Sequence, residues 1–131
     1  MLKKRIKYTD YNGEKREEDF YFNLSKAEII EMELSTEGGL KNMIEKITDE
    51  KDMPKLIALF KRLIKMSYGE KSADGKRFVK SEDLSEAFTQ TEAYSELFME
   101  LATNDNAAAE FVNGIVPPDL AQEAALSIVE E

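Results

Sequence analysis

The sequence predicts an α+β domain that is mainly helical: one N-terminal β-hairpin followed by six or seven short helices in a compact bundle. Three observations lead to this class. Apolar residues alternate with polar ones on both sides of an Asn-Gly pair in residues 2–23. From Ser25 onward the apolar spacing changes to three and four. Glycines and prolines then interrupt the pattern at intervals suited to short helices: Gly38-Gly39, Gly69, Gly75, Gly114 and Pro117-Pro118. With 131 residues, 42% of them hydrophobic, the chain can fill a single core. It is expected to form one domain, 1–131, organised as a hairpin (1–24), a first helical part (25–68), a linker and turn (69–80) and an acidic helical part (81–131).

In the hairpin, Ile6 and Tyr8 alternate on one strand, near 3–10, and Phe20 and Phe22 on the other, near 15–23. Asn12-Gly13 favours a two-residue type I′ turn, whose central residues both need positive φ. Asp10, Asn12 and Glu14 alternate as calcium ligands do, but the glycine comes too early for an EF-hand loop and no bidentate Glu follows, so the turn reading prevails. Ser25 and Glu28 form a capping box that opens a helix with Ala27, Ile30 and Leu34 on one face. Gly38-Gly39 ends it. A short helix is expected over 40–48, with Leu40, Met43, Ile44 and Ile47 at helical spacing. Asp52 and Pro54 suit the start of the next.

The helix from Met53 to Tyr68 carries the strongest pattern. Leu56, Ile57, Leu59, Phe60, Leu63, Ile64 and Met66 occupy an arc of roughly 160–180° at about 100° per residue. Lys55, Lys61, Arg62 and Lys65 fill the other side. Such a basic amphipathic helix can lie on a membrane, but a core helix with one solvated face is the commoner case. Gly69 is expected as its C-cap. A turn at Ala73-Asp74-Gly75 follows. Ser81 caps a helix with Leu84, Ala87 and Phe88 inward. Thr91 caps another, to about Thr103, with Tyr94, Leu97, Phe98 and Leu101 on one side and Glu92, Glu96 and Glu100 as an acidic stripe on the other. Asn104-Asp105 opens a helix with Ala108, Phe111, Val112 and Ile115 inward, and a last helix is expected over 119–130.

The charge is unevenly spread. The chain carries a formal net charge of −9, yet Met1 to Arg16 has six basic residues against two acidic ones. Ser81 to Glu131 has twelve acidic residues and no basic one. Acidic residues keep a helical surface solvated, and they also repel phosphates, which argues against nucleic-acid binding. Opposite charge at the two ends, together with broad apolar faces, suggests head-to-tail contacts between copies.

The chemistry available is narrow. There is no cysteine and no histidine, which removes disulfides, thiol nucleophiles, cysteine-ligated metals and the commonest general base. No phosphate loop or nucleophile elbow is present, and the paired carboxylates of the acidic stripe lack a nucleophile or cleft. No apolar run approaches a membrane span, and no apolar stretch follows the basic start as a signal peptide requires. The expectation is a soluble cytoplasmic protein with no enzymatic activity, cofactor or metal.

One long stretch carries a resemblance. It runs Ser67-Tyr68-Gly69-Glu70-Lys71-Ser72-Ala73-Asp74-Gly75-Lys76-Arg77-Phe78, then Lys80-Ser81 and Phe88-Thr89-Gln90-Thr91. Ala93-Tyr94-Ser95-Glu96-Leu97-Phe98 follows, and Ala107-Ala108-Ala109-Glu110-Phe111 leads to Pro117. This resembles the tail assembly chaperones of long-tailed, siphovirus-type bacteriophages and prophages. The shared features are packing and capping residues rather than reactive ones. The resemblance implies a non-enzymatic protein of the host cytoplasm that binds and solubilises the tape measure protein in multiple copies, helps recruit tail tube subunits, and is absent from the finished virion. It implies a homo-oligomer, and in many phages a frameshifted longer form beside a short one such as this. A groove lined by Phe60, Leu63, Tyr94 and Phe98 would accept the apolar stripe of a helical partner. Two other readings fit the residues: a structural tail-completion or connector protein, and a small acidic regulator of a basic host protein.

Overall fold

The computed structural model describes residues 1–35 and 53–117. Their elements are β1 (Leu2–Thr9), β2 (Lys15–Phe22), α1 (Lys26–Ser35), α2 (Met53–Ser67), β3 (Tyr68–Lys71), β4 (Phe78–Val79), α3 (Glu82–Thr89), α4 (Glu92–Thr103) and α5 (Asp105–Ile115). Among the described residues there are five helices, not six or seven. The helices expected over 40–48 and 119–130, the Gly38-Gly39 break and the Asp52 cap lie outside the described residues.

The N-terminal hairpin forms where the alternation places it. β1 and β2 pair antiparallel from Leu2↔Phe22 to Thr9↔Lys15 without a bulge. The turn is wider than the two-residue type I′ loop. The Asp10 carboxylate accepts hydrogen bonds from the Asn12 and Glu14 amides and from the Arg16 guanidinium. The Gly13 amide donates to the Asp10 carbonyl, and Gly13 takes φ +81°. The aspartate therefore organises a five-residue connection that overrides the Asn-Gly preference.

A second hairpin stands where a linker was expected. α2 ends at Ser67, whose hydroxyl donates to the Leu63 carbonyl, and the chain turns straight into β3. β3 pairs antiparallel with β2, Phe22↔Tyr68, and with β4, Lys71↔Phe78. The sheet order is β1-β2-β3-β4. Gly69 is not a left-handed C-cap. It lies in β3 under the Phe78 ring, and a Cβ there would come within 2.7 Å of both that ring and the Val79 carbonyl oxygen. The turn itself falls at Ala73-Asp74-Gly75 as expected, held by the Ser72 hydroxyl and Asp74 carboxylate, with Gly75 at φ +73°.

The helices pack against this sheet and against one another, α4 meeting α2, α3 and α5. α4 and α5 contact β1, α3 contacts β3 and α2 contacts β2. Among the described residues, each N-cap read from the sequence is made. The Ser25 and Glu28 pair satisfies backbone amides reciprocally, and Ser81, Thr91 and Asn104 accept from Leu84, Tyr94 and Ala107 amides. The amphipathic arc of α2 buries Leu59, Phe60, Leu63 and Ile64, with Leu56 and Met66 at its margins.

α1 docks on a different face from the one its spacing suggests. Ile30 and Leu34 are 57% and 83% exposed, while Met32 is 2% exposed and Ile29 is partly buried. The reason is tertiary. Met32 fills a place in the core, and Lys80, beside β4, holds the first turn of the helix through the Glu28 carboxylate at 2.7 Å. In α3, likewise, Ala87 is exposed and Ser85 is buried, its hydroxyl donating to the Lys65 carbonyl of α2.

At the centre lies an aromatic cluster. Phe88 stacks on Tyr68 at 4.4 Å and meets Phe22 edge-on at 5.7 Å, and Phe22 meets Phe111 edge-on at 5.4 Å. Phe20 and Tyr94 complete the ring of contacts around Phe88. Truncating Phe88→Ala should lower stability by about 3–5 kcal/mol, the range for deleting a buried aromatic side chain. Urea unfolding followed by circular dichroism will measure it. Gly69→Ala should also destabilise, because the added methyl has no free space.

Candidate partner-binding surface

The four residues expected to line a groove divide into two pairs. Phe60 and Leu63 are 9% and 3% exposed and belong to the core between α2 and its neighbours. Tyr94 and Phe98 are half-buried on α4, their rings 5.9 Å apart, packed against the core from its edge. Burial raises the Tyr94 phenol above its usual pKa. Periodicity could not separate these pairs, because a buried apolar face and a partner-binding face have the same spacing. The apolar side chains that stand in the open are others: Ile30 and Leu34 on α1, Met53 and Ile57 on α2, and Met99 on α4.

The basic N-terminus meets the acidic helices within one molecule. Lys4 reaches Glu100 of α4 at 2.7 Å, and Tyr11 donates to Glu92. The acidic stripe of α4 is therefore not wholly solvated. Glu92 and Glu100 are half-buried, and Glu96 is exposed. On the open face of the sheet, Arg5 contacts Glu17 at 2.8 Å and Asp19 at 3.3 Å, and Lys3 contacts Asp19 at 3.6 Å. Lys71 sits 4.6 Å over the Tyr21 ring. Exposed pairs of this kind contribute at most about 1 kcal/mol each.

Two polar arrangements are more enclosed. Tyr8 donates to Glu18, and this bond, reinforced by partial burial and the carboxylate charge, pushes the phenol up to about 12. Glu28 is the other. Burial would raise its carboxyl, but the Lys80 ammonium and the Ser25 amide outweigh it and hold the group below the usual carboxylate range. The sequence offered Ser25 and Glu28 as a local capping pair. It gave no sign of Lys80, which lies far along the chain.

The cavities among these elements are shallow and open. One of about 460 Å³ lies between the first hairpin and α4, lined by Lys7, Tyr8, Arg16, Glu17 and Glu96 among others. Another, of about 470 Å³, lies between Glu28, Lys65, Lys80 and Glu86. Among the described residues no group of three His, Cys, Asp or Glu side chains is placed to hold a metal ion, and no helix is long and apolar enough to cross a membrane. What the geometry offers is surface: open apolar positions on three helices and an open, charged sheet face.

The residues of the long stretch that begins at Ser67 prove to be the framework of that geometry. Ser67 ends α2, Tyr68 and Phe88 stack, Gly69 admits Phe78, Ser72 and Asp74 close the turn, and Ser81 and Thr91 cap α3 and α4. A family model described as phage tail assembly chaperone matches residues 1–130. The chain belongs to the phage tail assembly chaperone family. The match extends beyond the stretch that carried the resemblance to include the first hairpin, α1 and α2. Neither the curated proteins nor the solved structures include a significant match to the chain. Membership in this chaperone family places its work in phage tail assembly.

Ionisation of Tyr8 provides a check on the hairpin–helix junction. Titrated by phenolate absorbance, one tyrosine should ionise near pH 12, and Glu18→Gln should bring it back toward the ordinary value near 10. A folded-state pKa that is raised means that this contribution to stability is complete below about pH 10 and is lost as pH rises through 12. Glu28 behaves in the opposite sense. Its contribution is present above the ordinary carboxylate pKa and is lost as pH falls through its depressed value, so Lys80→Met should flatten the acid limb of the stability curve.

Proposed function

We propose that this chain binds the tape measure protein during tail assembly, in multiple copies, keeps it soluble in the host cytoplasm, and helps recruit tail tube subunits. The observation that carries this reading is the family match across residues 1–130. Physical features support it. A tape measure protein is a long helical chain with apolar stripes, and a chaperone for it must offer apolar surface that its own fold leaves open. Ile30, Leu34, Met53 and Ile57 are such positions. Phe60 and Leu63 serve the fold, and Tyr94 and Phe98 stand at the border, able to extend an apolar contact from the core's edge. The acidic helices α3 to α5 add selectivity for basic partner segments.

The reading assigns no catalytic residue. Work on the tape measure is binding, and the carboxylates Glu92 and Glu96 serve solvation and contacts with the hairpin. Glu96→Gln should leave chaperone function intact and change stability by at most about 0.5 kcal/mol.

Co-expression with the tape measure protein tests the proposal. The partner should remain soluble with this chain and aggregate without it. Ile30→Ser with Leu34→Ser should abolish that effect while leaving the melting temperature nearly unchanged. Leu63→Ala should instead lower the midpoint by several degrees, since one kcal/mol corresponds to about 4 °C in a domain of this size. A tape measure protein that is equally soluble with and without the chain would reject the proposal.

A further inference from the structure

We propose that the free edge of β1 is a docking site for an extended segment of a partner protein, added as a further strand, with acidic residues at every second position. The site stands apart from the tape-measure reading, because it rests on the sheet edge and the charges beside it.

β1 is an edge strand. Its eight residues pair with β2 on one side, over their full length and without a bulge, and no strand lies on the other side among the described residues. The opposite edge, β4, has two residues and offers little to a partner. An unpaired edge exposes a row of amide and carbonyl groups and templates a further strand unless something blocks it. β1 has none of the usual blocks of geometry: no proline, no bulge and no shortening. Its safeguard is charge. Lys3, Arg5 and Lys7 stand exposed at alternate positions on the open face of the sheet.

That row decides which occupant fits. A second copy pairing β1 against β1 would set these cations opposite one another, and like charges directly across a ladder are destabilising. A strand with Asp or Glu on the open face meets them favourably. Lys3 and Arg5 have partners on β2 in weak, solvent-facing pairs, and Lys7 stands across from Glu17 without closing to ion-pair distance, so all three can take a further carboxylate from the free side. On the covered face the demand differs. Glu100 of α4 reaches Lys4 there, and Glu96 shares a shallow cavity with Tyr8, so a carboxylate pointing inward would be repelled. The matching segment alternates acidic residues outward with short polar residues inward. Main-chain hydrogen bonds supply affinity and the alternate side chains supply selection, as in other strand-addition sites.

The test uses the full chain, labelled with nitrogen-15, and an acetylated eight-residue probe of alternating Glu and Thr. The probe should shift the amide resonances of Leu2 to Thr9 and slow their hydrogen exchange. The same peptide N-methylated along its backbone should do neither. A Lys-Thr peptide should bind about fivefold more weakly or worse for each reversed pair, and Lys7→Glu should weaken the Glu-Thr probe by a similar factor. Lys7 is exposed, and a thermal melt confirms that the variant folds. If it does not, the comparison of plain and N-methylated probes on the unaltered chain still decides. The proposal is overturned by unchanged β1 amides at millimolar probe or by equal binding of the N-methylated peptide. It is equally overturned by β1 shifts that grow with protein concentration in the absence of peptide, which would assign the edge to a second copy.

Discussion

The stack of Phe88 on Tyr68, wedged against Phe22, is the interaction on which the rest of the fold depends. It joins three elements that are distant in sequence: β2, the start of β3 and α3. Phe22 and Phe88 are fully enclosed, and Phe111 of α5 closes the cluster from the far side. Offset and edge-on contacts between aromatic rings each contribute about 0.5–1.5 kcal/mol beyond the area they bury. Their geometry also limits how the neighbouring elements can sit. Tyr68 can reach Phe88 only if the chain leaves α2 abruptly, and it does so directly after Ser67, whose buried hydroxyl donates to the Leu63 carbonyl, by pairing with Phe22 of β2. Gly69 must follow, because the second hairpin brings Phe78 across the backbone where any larger residue would collide.

This explains how a sequence with no reactive constellation can carry a family signature. The residues in the recognisable stretch are the ones that end a helix, admit a ring, close a turn or cap the next helix. They specify a scaffold, and the function of the family lies in what the scaffold leaves uncovered. Apolar side chains on α1 and α2 stand in solvent although a large core lies beneath them. A monomer designed only for stability would have replaced them with charges.

Electrostatics follow a similar division. The chain is acidic overall, but its first strand is basic, and the two meet inside one molecule through Lys4 and Glu100 and across the first hairpin. Much of the charge asymmetry along the sequence is thereby consumed in intramolecular contacts, which are individually weak and responsive to salt. What remains for partners is the outward row of β1 and the solvent side of α3 to α5.

The sequence by itself determined the local features. Alternation around Asn12-Gly13 located the first hairpin, the Ser25, Ser81, Thr91 and Asn104 caps located four helix starts, and the wide arc of α2 identified its buried side, because each depends on residues within one or two turns of chain. Tertiary structure decided the rest. The second hairpin is short and lacks enough alternation to announce itself, and it exists because β2 offers it an edge. The face on which α1 docks contradicts its own spacing, because the core takes Met32 and Ile29 and Lys80 meets Glu28, contacts with residues distant in sequence that no local pattern announces. For the same reason Phe60 and Leu63 became core while Tyr94 and Phe98 came to its border: their spacings are alike, and only the packing of distant elements distinguishes an apolar residue that is covered from one that is left at the surface.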